Sequence, residues 1–216
     1  LRVVTKLETR HPLWNGLNLT WETLEGMAKH NGPLLGRGKK ILPRAIAEYA
    51  EIEDLELSTY SGAEAQVAAM ADDIAYNNHD IDDGLRAGLF LIEDLRDLPL
   101  VGGIFADVSK EFPELDMSRT IHEAVRRLIG AMVNDLINET NHRLKESGVV
   151  SVNDIRELSQ PIAGFSVDMC GYDAEIKKFL YENMYRHYKL NLNVQKHYLT
   201  LCGNKLALAK LLRCLV

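Results

Sequence analysis

Three cysteines, Cys170, Cys202 and Cys214, are all that the 216 residues contain, and no two stand in CxxC spacing. An odd number without paired spacing excludes a disulfide framework or a structural zinc site as the basis of the fold, and predicts buried, reduced thiols. Long apolar runs are missing as well. None reaches the roughly 18 residues of a membrane span, and no charged-then-apolar pattern of a signal peptide is present. A cytoplasmic setting without a membrane partner is the expectation. Positive charge is in deficit, with 25 Lys and Arg against 31 Asp and Glu and a net charge of -6. That balance gives no general attraction to nucleic acid, although it leaves room for a local basic pocket. Strand alternation, internal repeats and low-complexity tracts are absent too, which leaves an ordinary globular chain with apolar residues at helical spacing.

Taken in order, residues 1–9 place Val3, Val4 and Leu7 at helical spacing without a capping residue or an initiator Met, so residue 1 is not expected to be the natural start. Thr20 or Asn18 can cap a helix through about Lys29, with Trp21, Leu24 and Met27 toward the core and His30-Asn31-Gly32-Pro33 as its stop. Gly36-Arg37-Gly38-Lys39-Lys40 lacks the GxxxxGK[ST] pattern and reads as a basic surface loop. A second helix is expected from about Pro43 to Asp54. Residues 61–84 form the central predicted helix, with Ser61 and Glu64 as a capping box and Gly84 at its exit. Its core face is Val67, Met70, Ala71, Ile74, Asn78 and Ile81. A further amphipathic helix over 85–98, a turn at 101–104 and a short helix over 106–112 are expected next. The longest helix is predicted from Ser118 to about Glu146, facing the core with Ile121, Val125, Leu128, Met132, Val133, Leu136 and Ile137. A short helix restarts at Ser151, and a last one runs from Asp173 or earlier to about Leu190, carrying a strip of Tyr181, Tyr185 and Tyr188 that suits a core or an interface. The fold class is all-α, a bundle packed around residues 61–84.

On that central helix Asp72, Tyr76 and Asp80 stand at i, i+4 and i+8, with Asp73 and Asn77 beside them. Stacked carboxylates repel each other, so the stripe is either a solvated face or a site for a metal or polar ligand. Ala65, Ala68, Ala69, Ala71 and Ala75 predict close helix packing nearly all round the first turns. Buried carboxylates would then need partners. The Asp80, Asp82, Gly84 run does not fit a calcium loop, because Gly84 falls fifth and Leu91 twelfth.

The segments Glu64-Ala65-Gln66-Val67-Ala68, Ala71-Asp72-Asp73-Ile74-Ala75-Tyr76-Asn77 and His79-Asp80-Ile81-Asp82-Asp83-Gly84 resemble the last metal-ligand helix of the deoxyguanosine triphosphate triphosphohydrolase-like proteins of the HD-domain superfamily. Residues 16–26 and 126–137 resemble other segments of that family. The resemblance implies a helical HD-domain-type bundle, present in part, and hydrolysis of deoxynucleoside triphosphates to deoxynucleoside and tripolyphosphate. It implies Asp72 as a metal ligand, Tyr76 packed on the deoxyribose, and Asp80 accepting from the sugar 3′-hydroxyl. Asp73 and the arginines Arg126 and Arg127 are further candidates, the arginines for the triphosphate. Lys177, Lys178 and Arg186 are weaker candidates for phosphate. The implied cofactor is Mg²⁺ or Mn²⁺, or another transition metal if imidazole ligands join, and a homo-oligomer is the implied assembly.

Of the seven histidines only His79 precedes an Asp, and it falls after the last ligand in the family's order. The first histidine ligand and the His-Asp pair are therefore expected before Leu1, leaving this chain one ligand of four. Alone, it is expected to be inactive. The resemblance covers residues 1–190. Residues 191–216 contain no Asp or Glu and are expected to be a divergent or frame-shifted tail. A non-catalytic helical module for nucleotide binding or oligomerisation is the alternative.

Overall fold

The computed structural model describes residues 1–36 and 41–186. Among them the secondary structure is helical, without a strand. The helices are α1 (Trp21–Ala28), α2 (Arg44–Ala50), α3 (Ala63–Arg86), α4 (Val101–Glu111), α5 (Met117–Ser147), α6 (Val152–Glu157) and α7 (Val167–Leu180). Short π-helical turns occupy Val3–Leu7 and Tyr181–Tyr185, and a 3₁₀ turn Ile92–Leu95. The all-α expectation is met. Most of the basic loop, Tyr188 and the 191–216 tail lie outside the described residues.

The chain divides into two compact units, one of Leu1–Ala75 with Ala131–Met169, the other of Tyr76–Gly130 with the chain from Cys170. In the first, Thr20 caps α1 by accepting the Thr23 N–H, as its position before an apolar-periodic run dictates. Leu24 and Ala28 from α1 meet Leu55 and Leu57 in a small apolar cluster, onto which Trp21, Ile46 and Tyr49 fold. The Gln66 side chain on α3 donates to the Ser61 carbonyl at 2.8 Å and accepts from the Ile162 N–H at 2.8 Å, fixing both stretches by groups that burial leaves no water to satisfy. Ser151 and Asp154 form the capping box of α6.

In the second unit Ile81 and Leu85 of α3 are buried, as are Val101, Phe105 and Val108 of α4, Ile121, Val125 and Leu128 of α5, and Ile176 and Leu180 of α7. Phe90 and Phe179 meet edge to face, with centroids 5.0 Å apart. Asn77 donates to Asp173 at 2.7 Å, which ties α3 to α7.

Several expectations are corrected. α3 begins at Ala63, with the Gly62 carbonyl accepting from the Gln66 N–H, so Ser61 stands ahead of the cap and makes no capping box. Gly84 lies inside α3 rather than at its exit. A Cβ there would sit 2.2 Å from the Phe90 ring, so the glycine admits that ring. The helix ends in a Schellman arrangement: Gly88 has φ +61°, its N–H meets the Leu85 carbonyl, and the Leu89 N–H meets the Gly84 carbonyl. That turn replaces the helix expected over 85–98. The 101–104 turn is in fact the first turn of α4, entered through Leu100 at φ +66°. Pro43 is the N-cap of an α2 that stops at Ala50, four residues short of Asp54. Asp116, whose carboxylate accepts the Arg119 N–H, caps α5 in place of Ser118. α7, expected from Asp173 or earlier, starts at Val167. Met27, Val67, Ala71, Val133 and Ile137 are exposed instead of facing the core, and Cys170 is exposed instead of buried. The alanine-rich start of α3 is therefore not packed all round.

Gly102 sits where α4 meets the preceding turn, and a Cβ there would be 2.1 Å from the Arg96 carbonyl oxygen. Backbone cannot swing aside as a side chain can. Gly102→Ala is expected to lower stability by about 1–3 kcal/mol despite its better helix propensity, read as a fall in the urea midpoint at unchanged slope.

Candidate functional site

The α3 stripe is not uniform in its surroundings. Rows of side chains four apart run obliquely across a helix, so Asp72, Tyr76 and Asp80 wind progressively around it. Asp72 has 63% of its side chain exposed, Tyr76 is 64% exposed, and Asp80 has turned in to 9%.

Asp72 lies in the first unit. Its Oδ2 is 3.5 Å from His30 Nε2, just beyond the end of α1. His30 and Asp73 border a cavity of about 560 Å³ that also takes in Asn31, Tyr60, Gln66 and Arg156. Among the described residues no group of three or more His, Cys, Asp or Glu is arranged to hold a metal ion. Asp72 is thus an accessible carboxylate with one imidazole beside it.

Tyr76 and Asp80 lie in the second unit. Asp80 Oδ2 accepts a hydrogen bond from the Tyr185 hydroxyl. Burial first, and then the bond to Asp80, pushes the Tyr185 phenol up to about 12, so it is a donor throughout the neutral range. His79 points to solvent.

Arg126 and Arg127 pair with Glu123 at 2.7 Å, and Arg127 also with Glu111 at 2.8 Å. The two guanidinium groups, Arg126 first, hold the Glu123 carboxyl down at about 2. Nearby, Arg86, Phe112, Ser118, Arg119 and His122 line a second cavity of about 520 Å³. Lys177 pairs with Asp173, and Arg186 stands over the Tyr181 ring at 5.3 Å.

No protein-family model matches the chain. Individual proteins do. It is 61% identical over 198 residues to a deoxyguanosinetriphosphate triphosphohydrolase-like protein of Parvibaculum lavamentivorans, covering 91% of this chain and 50% of that protein. It is 55% identical over 190 residues to a protein of the same name from Caulobacter vibrioides, covering 88% of this chain and 48% of the relative. This chain is a homologue of the deoxyguanosinetriphosphate triphosphohydrolase-like proteins. It spans about half the length of the curated relatives it matches. The similarity therefore reaches well beyond residues 64–84 and extends over most of this chain.

Two features of the homologue escaped the sequence pattern. Tyr185 belongs by spacing to an aromatic strip, and nothing in that spacing links it to Asp80, 105 residues away. The second is a buried ionic cluster in the first unit. Glu25 and Lys29, each 1% exposed, pair at 2.8 Å, and Arg156 grips Glu25 in two bonds of 2.8 and 3.0 Å. Lys29 also donates at 3.0 Å to the Glu56 and Tyr60 carbonyls and to the Thr59 hydroxyl. The i,i+4 spacing of Glu25 and Lys29 was a legible signal for a pair, but it gives no indication that the pair is buried.

Proposed function

We propose that this chain supplies part of the site for metal-dependent hydrolysis of deoxynucleoside triphosphates, dGTP-like, to deoxynucleoside and tripolyphosphate. The observation that carries the reading is α3: one continuous helix bearing Asp72 and Tyr76 exposed and Asp80 turned inward, in a chain whose relatives bear the triphosphohydrolase-like name. Asp72 offers an accessible hard oxygen donor, which suits Mg²⁺ or Mn²⁺, while imidazole ligands would favour another transition metal. A metal bound there supplies Lewis-acid polarisation of a phosphoryl oxygen and a water acidic enough to act as nucleophile.

The remaining ligands are assigned to the half of the relatives' length that this chain does not represent. Tyr76 presents an exposed ring for the deoxyribose, and Asp80 an acceptor for the sugar 3′-hydroxyl. Asp73 borders the cavity next to Asp72. Arg126 and Arg127 are the candidates for the triphosphate, at the cost of their pairing with Glu123. A homo-oligomer in the cytoplasm is part of the same reading. A second reading is a non-catalytic helical module that binds nucleotides or assembles oligomers, which fits the absence, among the described residues, of a group of three or more His, Cys, Asp or Glu arranged to hold a metal ion.

The test uses the longest natural form of the protein with a panel of deoxynucleoside triphosphates and Mn²⁺. Release of intact tripolyphosphate, lost in Asp72→Ala, is the expected result. A folded wild type that releases none from any substrate overturns the enzyme reading in favour of the module. The isolated chain, with one ligand, is expected not to turn over.

A further inference from the structure

A carboxylate shielded from water needs donors in place of the lost hydration. Asp80 is 9% exposed, and the Tyr185 hydroxyl supplies one such donor at Oδ2. The π-helical turn Tyr181–Tyr185 follows directly on α7, so the hydroxyl is delivered from a helix whose own residues Ile176 and Leu180 are buried. Asp173 of α7, paired with Lys177, accepts from Asn77 on α3 three residues before Asp80, which fixes the same two helices a turn away. Tyr185 therefore meets Asp80 from a braced position. An ionised carboxylate has about four lone-pair sites, and a single phenol occupies one of them.

We propose that Tyr185 is a positioning residue: it holds the Asp80 carboxylate by Oδ2 so that the remaining acceptor sites serve the substrate's 3′-hydroxyl, and so sets discrimination for a 3′-hydroxylated sugar. This rests on the reading of Asp80 given above. The phenol keeps its proton at neutral pH, so it donates to Asp80 and does not compete with the sugar for the acceptor role. Without the hydroxyl, the carboxylate gains rotamer freedom that sugar binding must then remove.

The experiment compares a deoxynucleoside triphosphate with its 2′,3′-dideoxy counterpart on full-length wild type, Tyr185→Phe and Asp80→Asn. It reads KM and kcat, and separately the binding of the corresponding deoxynucleoside and dideoxynucleoside by calorimetry. For Tyr185→Phe the preference for the 3′-hydroxylated ligand is expected to fall about three- to tenfold, the worth of one hydrogen bond, chiefly in KM and with the dideoxy ligand unaffected. Asp80→Asn is expected to remove the preference. If Asp80→Asn removes it and Tyr185→Phe leaves it intact, or weakens both ligands equally, Tyr185 is only structural and the inference is overturned while Asp80 keeps its role. If wild type shows no preference, or Asp80→Asn retains it, the Asp80 reading fails and this inference fails with it.

Discussion

Arg156→Ala is expected to cost about 3–5 kcal/mol of stability, because it strips one partner from a buried ionic cluster and leaves the other charges in place. The Arg156 side chain is 8% exposed and its bidentate partner Glu25 1%. It also donates to Asn153 at 2.9 Å and stacks over the Trp21 ring at 4.8 Å, so packing is lost along with charge pairing. Domains of ordinary stability hold about 5–15 kcal/mol, so a loss of this size moves the full-length protein's urea midpoint by a large fraction of its value. An unchanged midpoint would show that the cluster does not brace the unit. Arg156→Lys is expected to recover little, since an ammonium cannot make both bonds to Glu25.

The same cluster fixes a pH dependence. Burial alone would raise the Glu25 carboxyl, but hydrogen bonds from Arg156 and Lys29 outweigh it and hold it below the usual carboxylate range. Burial lowers the Lys29 ammonium, with Glu25 opposing. A carboxyl depressed in the folded state contributes stability above its unfolded value, and that contribution is lost as pH falls through the folded one. Lysine depressed in the folded state likewise makes stability rise with pH, between its folded and ordinary values. Both slopes have the same sign, so the urea midpoint is expected to fall on acidification below the carboxylate range, and Arg156→Ala to move that acid limb to higher pH.

Asp72→Ala is expected to reduce tripolyphosphate release by the full-length protein at least about 10³-fold, or some 4 kcal/mol of transition-state stabilisation. Outer-sphere partners of metal ligands already cost 10–100-fold when removed, and a direct ligand should exceed that. The fold should be spared. Asp72 is mostly exposed and its pair with His30 at 3.5 Å is a surface contact, a class worth about 0–1 kcal/mol. The variant should therefore keep its urea midpoint while losing Mn²⁺ affinity, measured directly by calorimetry. A variant that keeps both metal and turnover would exclude Asp72 as a ligand. Asp73→Ala provides the neighbouring comparison, with less than about tenfold change expected for a residue that borders the cavity and is not assigned as a ligand.

Much of the helix order was legible. Thr20, Ser151 and the long apolar repeat of α5 carry local signals, and local hydrogen bonding acts on them as the pattern implies. The repeat Leu85, Leu89, Ile92 and Leu95 satisfied helical spacing equally well, yet α3 ends at Arg86 because Gly88 takes a left-handed conformation. Periodicity records which residues share a face and is silent about backbone reversals that a single glycine permits. It is equally silent about cover. Val67 and Ala71 share the apolar spacing of Ile74 and Ile81, but only the latter pair is buried.

The stripe of Asp72, Tyr76 and Asp80 was set by the sequence, because four-residue spacing on a helix is local geometry. So were the all-α class and the kinship that residues 64–84 display. Which of the three would face water was decided only by tertiary packing. The same holds for the partner each found: His30 for Asp72, and Tyr185 for Asp80 across 105 positions. Glu25 and Arg156, 131 residues apart, make the point in its strongest form. Desolvation and charge pairing depend on what the folded chain brings within a few ångströms, and no sequence interval encodes that distance.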